Sequence, residues 1–284
     1  MEGDAGTRLD VVDLAPDVGA EIRGLDLRRP LDAVTFQNVE RVWLDRGVLL
    51  FRNQDLTEEE QVRFASGFGE LGRVINKHGG VTLTRHPSVM LGSNIRQDGK
   101  PIGALPDGEM YFHSDQCYVE RPCKATFLYA MEIPSVGGNT LFASTTAAYE
   151  TLAPEMQARL AGLKAMNVYD YGGAPTERSA ALSENAPRFA HPVVRTHPDT
   201  RRRALFVNRL MTQYIEGMVP EESDRLLRQI FDHQERRRFV YEHVWRPGDL
   251  VLWDNRSTLH ARTDFSAGER RLLRRCIVLG ERPE

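Results

Sequence analysis

The stretch MYFHSDQCY, residues 110–118, sets a histidine and an aspartate two positions apart among aromatic side chains. Imidazole nitrogen and carboxylate oxygen are both ligands for divalent metals. Residues i and i+2 of a strand share a face, so His113 and Asp115 are placed to converge on one ion. An ordinary polar pair at a strand end would account for the same residues. A second pair of this form, His197-Pro198-Asp199, occurs downstream, and spacing alone does not choose between them. The second pair lies in VVRTHPDTRRRALF, where Pro198 fixes φ and Asp199 suits a turn; it reads as a hairpin connection. Among the other histidines, His86 and His191 precede prolines, which favours extended backbone. His233 fits a helix end and His243 an alternating, half-buried strand, while His78 lies in a glycine-bounded loop that assigns it neither a structural nor a ligand role.

A further candidate ligand is His260, reached by the strand-like run DLVLWDNRSTLHARTDF. A returning segment, RRLLRRCIVLG, puts Arg271, Leu273, Arg275 and Ile277 on one face by period two. Two arginines on the inner face of an apolar strand are costly without anionic partners. A dianion, two separate anions or protein carboxylates would each answer that cost.

These residues need a scaffold. The chain has 284 residues, 41% hydrophobic and 27% charged, the balance of a globular protein with a sizeable core. A net charge of −3 supplies no field for nucleic acid, and the runs 201–203 and 236–238 of arginine read as solvated faces. Three cysteines without a CxxC pair argue for a reducing compartment. No secretory leader is visible, and no run approaches the roughly 18 apolar residues of a membrane span, so a cytoplasmic location is expected.

Short strands around APDVGA open the chain. A helix over 35–47 ending at Gly47 follows, then the buried strand VLLFRNQ and a helix capped by Thr57 and Glu60, a βαβα opening. Short strand candidates then dominate: SVMLGSN, YFHSDQCY, KATFLYAMEI, NTLFAS, LFVNRL, FVYEHVW, DLVLWDN and RLLRRCIVLG. Helices are expected over 144–166 and 220–234. The pattern predicts a mixed α/β, mainly β fold: a double-stranded β-helix (jelly roll, cupin-like) with flanking helices, in one domain over 1–284. The segment 95–109 reads as a long loop and a candidate active-site lid.

The sequence resembles the taurine/2,4-dichlorophenoxyacetate dioxygenase (TauD/TfdA) family. The likeness runs through GAEIRGLDLRRPLD, VLLFRNQDLTEEEQVRFASGFGEL, PSVGGNTLFAS, HPVVRTHPDTRRRALFVN and WDNRSTLHARTDFSAGERRLLRRCIVLG. The resemblance implies that His113, Asp115 and His260 bind Fe(II), with 2-oxoglutarate as cosubstrate and O2 as oxidant. Arg271 resembles the arginine that pairs with the distal carboxylate of 2-oxoglutarate, and Thr140 the hydroxyl that assists it. Trp253 and Asn255 match positions beside the metal, where packing or ligand orientation is expected. The implied reaction is oxidative decarboxylation to succinate and CO2, coupled to hydroxylation of an unactivated C–H bond. Asp115 argues against halogenation, because related halogenases have a small residue there.

Arg275 matches the arginine that takes the sulfonate in the taurine enzyme, which implies an anionic substrate group. Other taurine-contact positions are changed, to Val74, Lys77, Glu109 and Met211. Taurine is therefore not the expected substrate; a carboxylate-bearing or bulkier molecule fits better, and the family resemblance implies a homodimer or homotetramer. A zinc hydrolase on the same triad would leave Arg271 and Thr140 unexplained. A jelly-roll metal-binding protein with a vestigial site, or a desaturase or other oxidative tailoring enzyme, stands as the alternative.

Overall fold

Apolar runs with no polar alternation dictate where the centre of the molecule lies. In the protein's structure, a computed structural model describing residues 8–73, 84–105, 108–170 and 183–284, the strands Val48–Phe51 and Leu250–Asp254 are buried along their whole length. Leu49, Phe51, Leu250 and Leu252 enter one apolar cluster, whereas Val48, Leu50, Val251 and Trp253 enter another on the opposite face. A strand covered on both sides needs apolar residues at every position, which these sequences supply.

Both strands belong to a seven-stranded sheet. Its order is Asp10–Asp13, Ala20–Arg23, Val48–Phe51, Leu250–Asp254, Cys123–Glu132, Leu272–Leu279 and Met90–Ser93. A four-stranded sheet has the order Val240–His243, Thr140–Ser144, Thr258–Arg262 and Met110–His113. Phe142 of the smaller sheet packs into the same cluster as Trp253 and Leu273 of the larger one. The opposite face of the larger sheet is covered by the helices Ala33–Arg46 and Glu58–Ser66 through Val39, Trp43 and Phe64, and by Phe68 just beyond the second helix. Fully burying each such aromatic contributes about 2–3 kcal/mol.

The opening segment folds as the periodicity predicts. Ala20–Arg23 and Val48–Phe51 pair in parallel across the first helix. Asp32 caps that helix by accepting from Thr35 N, and Gly47 ends it in the left-handed region at φ 70°, its N–H donating to Trp43 O. A Cβ on Gly47 would also lie 2.8 Å from Thr258 Cγ2, so both backbone and packing require glycine. Thr57 and Glu60 form the expected capping box.

Three expectations need correction. The helix proposed over 144–166 is two short helices, Thr145–Glu150 and Pro154–Leu160, followed by the strand Lys164–Val168. Pro154 lacks an N–H and would clash with the carbonyl of Glu150, so it starts a new helix instead of continuing the old one. LFVNRL is strand only at its start, within Arg203–Leu205. The 95–109 loop contains a small hairpin, Arg96–Gln97 with Lys100–Pro101, turned by Asp98 and Gly99 at positive φ.

The strand Leu272–Leu279 lies between Cys123–Glu132 and Met90–Ser93, with register shifts at Leu272/Leu273 and Val278/Leu279. Among the described residues, no helix is long and apolar enough to cross a membrane.

Candidate active site

His113 ends its strand, and His260 is its cross-strand partner on Thr258–Arg262. Their rings lie 4.1 Å apart between centroids. Asp115 joins them, but not by strand alternation. The strand stops at His113, and Asp115 lies in the turn beyond it. Its position is set instead by Asn255, whose Oδ1 accepts from Asp115 N at 3.2 Å and from Trp253 Nε1 at 3.1 Å. Ser114 Oγ donates to Asn255 O at 2.9 Å. The Asn255 amide in turn donates to Thr126 Oγ1, which donates to Asp115 Oδ2 at 2.5 Å. The other oxygen, Oδ1, faces His260 Nε2 at 3.9 Å and Arg275 Nη2 at 2.7 Å.

The three side chains form the only such cluster of His, Cys, Asp or Glu among the described residues, with one ligand atom from each within 4.8 Å of the others. Their chemistry suits a divalent metal. His113 Nδ1 lies 2.9 Å from Tyr111 O; a carbonyl only accepts, so Nδ1 carries the proton and Nε2 keeps its lone pair. Burial lowers the pKa of both imidazoles, and for His260 the neighbouring His113 adds to it, so both rings are neutral. Burial opposes ionisation of Asp115, but the Arg275 guanidinium, with the Thr126 hydroxyl, outweighs it and holds the carboxyl below its usual range. Two neutral imidazoles and one carboxylate suit Fe(II) and leave positions open for other ligands.

Arg271 and Arg275 occupy different settings. Arg275 has a protein partner, Asp115. Arg271 precedes the strand, with its N–H bonded to Asn94 Oδ1, and is 4% exposed. Its guanidinium makes only a long contact to Gly138 O at 3.4 Å, and its Nε is buried without a partner among the described residues. Burial and nearby Arg262 lower its pKa to about 9, so it remains a cation at neutral pH. Gly138, beside it, has φ 65°, a left-handed conformation that favours glycine. Thr140, two residues further, is buried at the start of its strand. A buried cation with no acid beside it fits the carboxylate of a dianionic ligand.

Of the remaining candidates, Glu109 is exposed beside the strand that carries His113. Met211 is buried, its sulfur 3.3 Å from Cys117 Sγ, in a cluster with Met110, Tyr111 and Tyr118; it is not an open lining residue. Val74, Lys77 and His78 lie outside the described residues. The second HxD pair does turn a hairpin, between Val194–Thr196 and Arg203–Leu205. His197 is nonetheless fully buried and bonded to Asp254, a role its turn setting did not announce. His243 is likewise fully buried, not half-buried, beside Asp249. Thr126 was not anticipated; a lone threonine inside the apolar strand KATFLYAME was the available signal.

A sequence profile described as "Taurine catabolism dioxygenase TauD, TfdA family" matches residues 10–277. An alpha-ketoglutarate-dependent 2,4-dichlorophenoxyacetate dioxygenase of Cupriavidus pinatubonensis is 32% identical, covering 94% of this chain and 96% of its own. An alpha-ketoglutarate-dependent sulfate ester dioxygenase of Pseudomonas putida is also 32% identical, over 97% of this chain and 91% of its own. Among solved structures, a taurine dioxygenase from Burkholderia xenovorans superposes with a TM-score of 0.82 at 31% identity, over 97% and 90% of the two chains. The protein AAD-2, in complex with Mn(II) and N-oxalylglycine, gives 0.79 at 30%, over 98% and 99%. The chain belongs to the TauD/TfdA family of 2-oxoglutarate-dependent dioxygenases.

Proposed function

We propose that His113, Asp115 and His260 hold the Fe(II), that Arg271 and Thr140 take the distal carboxylate of 2-oxoglutarate, and that Arg275 selects a substrate bearing an anionic group. On this reading the seven- and four-stranded sheets are the two halves of a double-stranded β-helix in one domain. Residues from both sheets meet at Asp115: Thr126 and Arg275 from the larger, His113 and His260 from the smaller. The observation that carries the reading is the convergence of the triad, together with a buried arginine that has no acidic partner among the described residues.

Fe(II), 2-oxoglutarate and O2 supply the oxidising power for hydroxylating a C–H bond, with succinate and CO2 released. The chain's own residues do the rest. Tyr111 O and Asn255 fix the orientation of His113 and Asp115, so the open side of the triad is defined before any ligand arrives. Arg271 supplies charge at a fixed place, and burial excludes the water that would weaken it. Arg275, 23% exposed, balances Asp115. A carboxylate, sulfonate or sulfate ester group would satisfy it in turn. Met110, Tyr111 and Tyr118, the partly buried side of the apolar cluster next to His113, suit a substrate with an apolar body.

Anaerobic addition of 2-oxoglutarate to the Fe(II)-loaded protein should produce the visible charge-transfer absorption of a chelated 2-oxo acid. Folded, iron-loaded protein without that absorption would overturn the reading. A panel of carboxylates, sulfonates, sulfate esters and amino acids, each set beside an uncharged ester or amide and a cationic amine of the same body, is scored by succinate release and product mass and should give turnover only with the members that bear an anionic group. Best turnover on an uncharged or cationic compound would remove Arg275 from the proposal.

A further inference from the structure

Trp245 has no part in the chemistry so far, yet it touches it. The residue follows the strand Val240–His243, is 5% exposed, and its indole Nε1–H donates to Thr140 Oγ1 at 3.0 Å. An indole has that single donor and no acceptor, whereas a hydroxyl has one proton and two lone pairs. With one lone pair occupied by the indole, the Thr140 proton must point elsewhere. The hydroxyl makes no other hydrogen bond among the described residues. In the same corner the buried Arg271 Nε also lacks a partner. Two donors are therefore unspent and no protein acceptor answers them.

The indole is itself held in place. Its ring meets His243 edge-on at 4.5 Å and 87°. His243 is fully buried, with Nδ1 2.9 Å from Tyr241 Oη and Nε2 3.1 Å from Asp249 Oδ2. Asp249 in turn accepts from Arg52 Nη1 at 2.8 Å and from Arg246 N at 2.9 Å. Tilting the indole would disturb a buried charged group, which is costly.

We propose that Trp245 is a positioning residue for the cosubstrate: its N–H holds the Thr140 hydroxyl in the rotation that donates to the distal carboxylate of 2-oxoglutarate beside Arg271. The inference rests on the assignment of Thr140 and Arg271 to that carboxylate.

The test compares two ligands and three variants. 2-Oxoglutarate and 2-oxovalerate share a 2-oxo acid end and a chain length, but only the first has a distal carboxylate. Their affinities are measured by anaerobic titration of the Fe(II) protein for the parent, Trp245→Phe, Thr140→Ala and the double variant. One correctly oriented hydrogen bond corresponds to about a fivefold change in affinity. Trp245→Phe should weaken 2-oxoglutarate by about that factor, leave 2-oxovalerate unchanged, and add nothing in the Thr140→Ala background. If Thr140→Ala weakens 2-oxoglutarate and Trp245→Phe does not, the positioning role is wrong and the cosubstrate site stands. Equal weakening of both ligands by Trp245→Phe would reduce Trp245 to a packing residue. If Thr140→Ala leaves 2-oxoglutarate unaffected, the assignment of the site fails first. Should Trp245→Phe not fold, benzothienylalanine at position 245 keeps the ring outline, replaces N–H by sulfur, and is judged by the same outcomes.

Discussion

The two HxD pairs have the same spacing and nearly the same backbone setting. Each histidine stands at the end of a short strand, and each aspartate lies in the turn beyond. They part company through what the rest of the chain sets against them. His113 meets a second histidine across the sheet, and Asp115 Oδ1, paired with Arg275, also faces that second ring at 3.9 Å. His197 Nδ1 accepts from the backbone N–H groups of Asp199 and Thr200, and its Nε2–H donates to Asp254 at 2.9 Å. Asp199 goes to Arg256, which also makes a two-pronged bond to Asp254. One pair is left with capacity to bind, and the other is used up by protein partners. The contrast also reveals a dependence. Asp254 and Arg256 occupy the second pair, while Asn255 between them fixes Asp115. The pair used up by protein partners holds the loop that orients the pair proposed to bind the metal.

The sharpest way to break this contrast is to delete each histidine in turn. His113→Ala should reduce Fe(II)-dependent succinate formation to the level seen without iron, whereas His197→Ala should leave kcat within about threefold at a temperature where the variant is folded, because it removes no group that faces a ligand. Similar loss in both would mean the pairs were sorted wrongly. Next in size is the link between them. Asn255→Ala should lower Fe(II) affinity or activity by about 10–100-fold, as expected for a group that orients a metal ligand; a smaller effect would make Asn255 a mere packing residue. His197→Ala should instead appear in stability, at about 1–3 kcal/mol, since it strips a buried hydrogen bond from Asp254. Its melting temperature, compared with that of the parent, reads this directly.

A structural histidine also sharpens the contrast through pH. His191 is buried with Nε2 donating to Val119 O at 2.8 Å, and burial pushes its pKa down to about 4. The folded state thus keeps it neutral while the unfolded chain takes up a proton near pH 6.5. Its contribution is complete above that pH, is lost as pH falls toward 4, and totals roughly 3 kcal/mol at most. His191→Gln keeps a donor for Val119 O and should flatten the fall in melting temperature over this window. Parallel curves for parent and variant would locate the acid sensitivity elsewhere.

Local signals in the sequence carried much of this. The Gly47 cap, the Thr57–Glu60 box and the double-faced apolar strands are rules about neighbouring residues, and they fold accordingly. His113, Asp115 and His260 were legible as a set only through family resemblance, since the triad spans distant positions. The reason first offered for the pairing of His113 and Asp115, strand alternation, is not the one the structure uses. Thr126, Trp245 and Asn255 act through contacts between residues more than a hundred positions apart, which no periodicity encodes. The burial of His197 was hidden for the same reason: the turn chemistry around it is local, but Asp254 is not.

The strand Leu272–Leu279 has one more consequence. Arg275 turns to Asp115, while its neighbour Arg274 turns to the other face, donating to Leu56 O and lying over the Tyr129 ring at 4.7 Å. The register shifts at the two ends of the strand fix this phase. Losing or gaining one residue between them would exchange the two arginines, sending a scaffold cation to the iron site and the site's own cation into the helix packing. Libraries built to alter substrate choice should vary side chains here and leave the length alone.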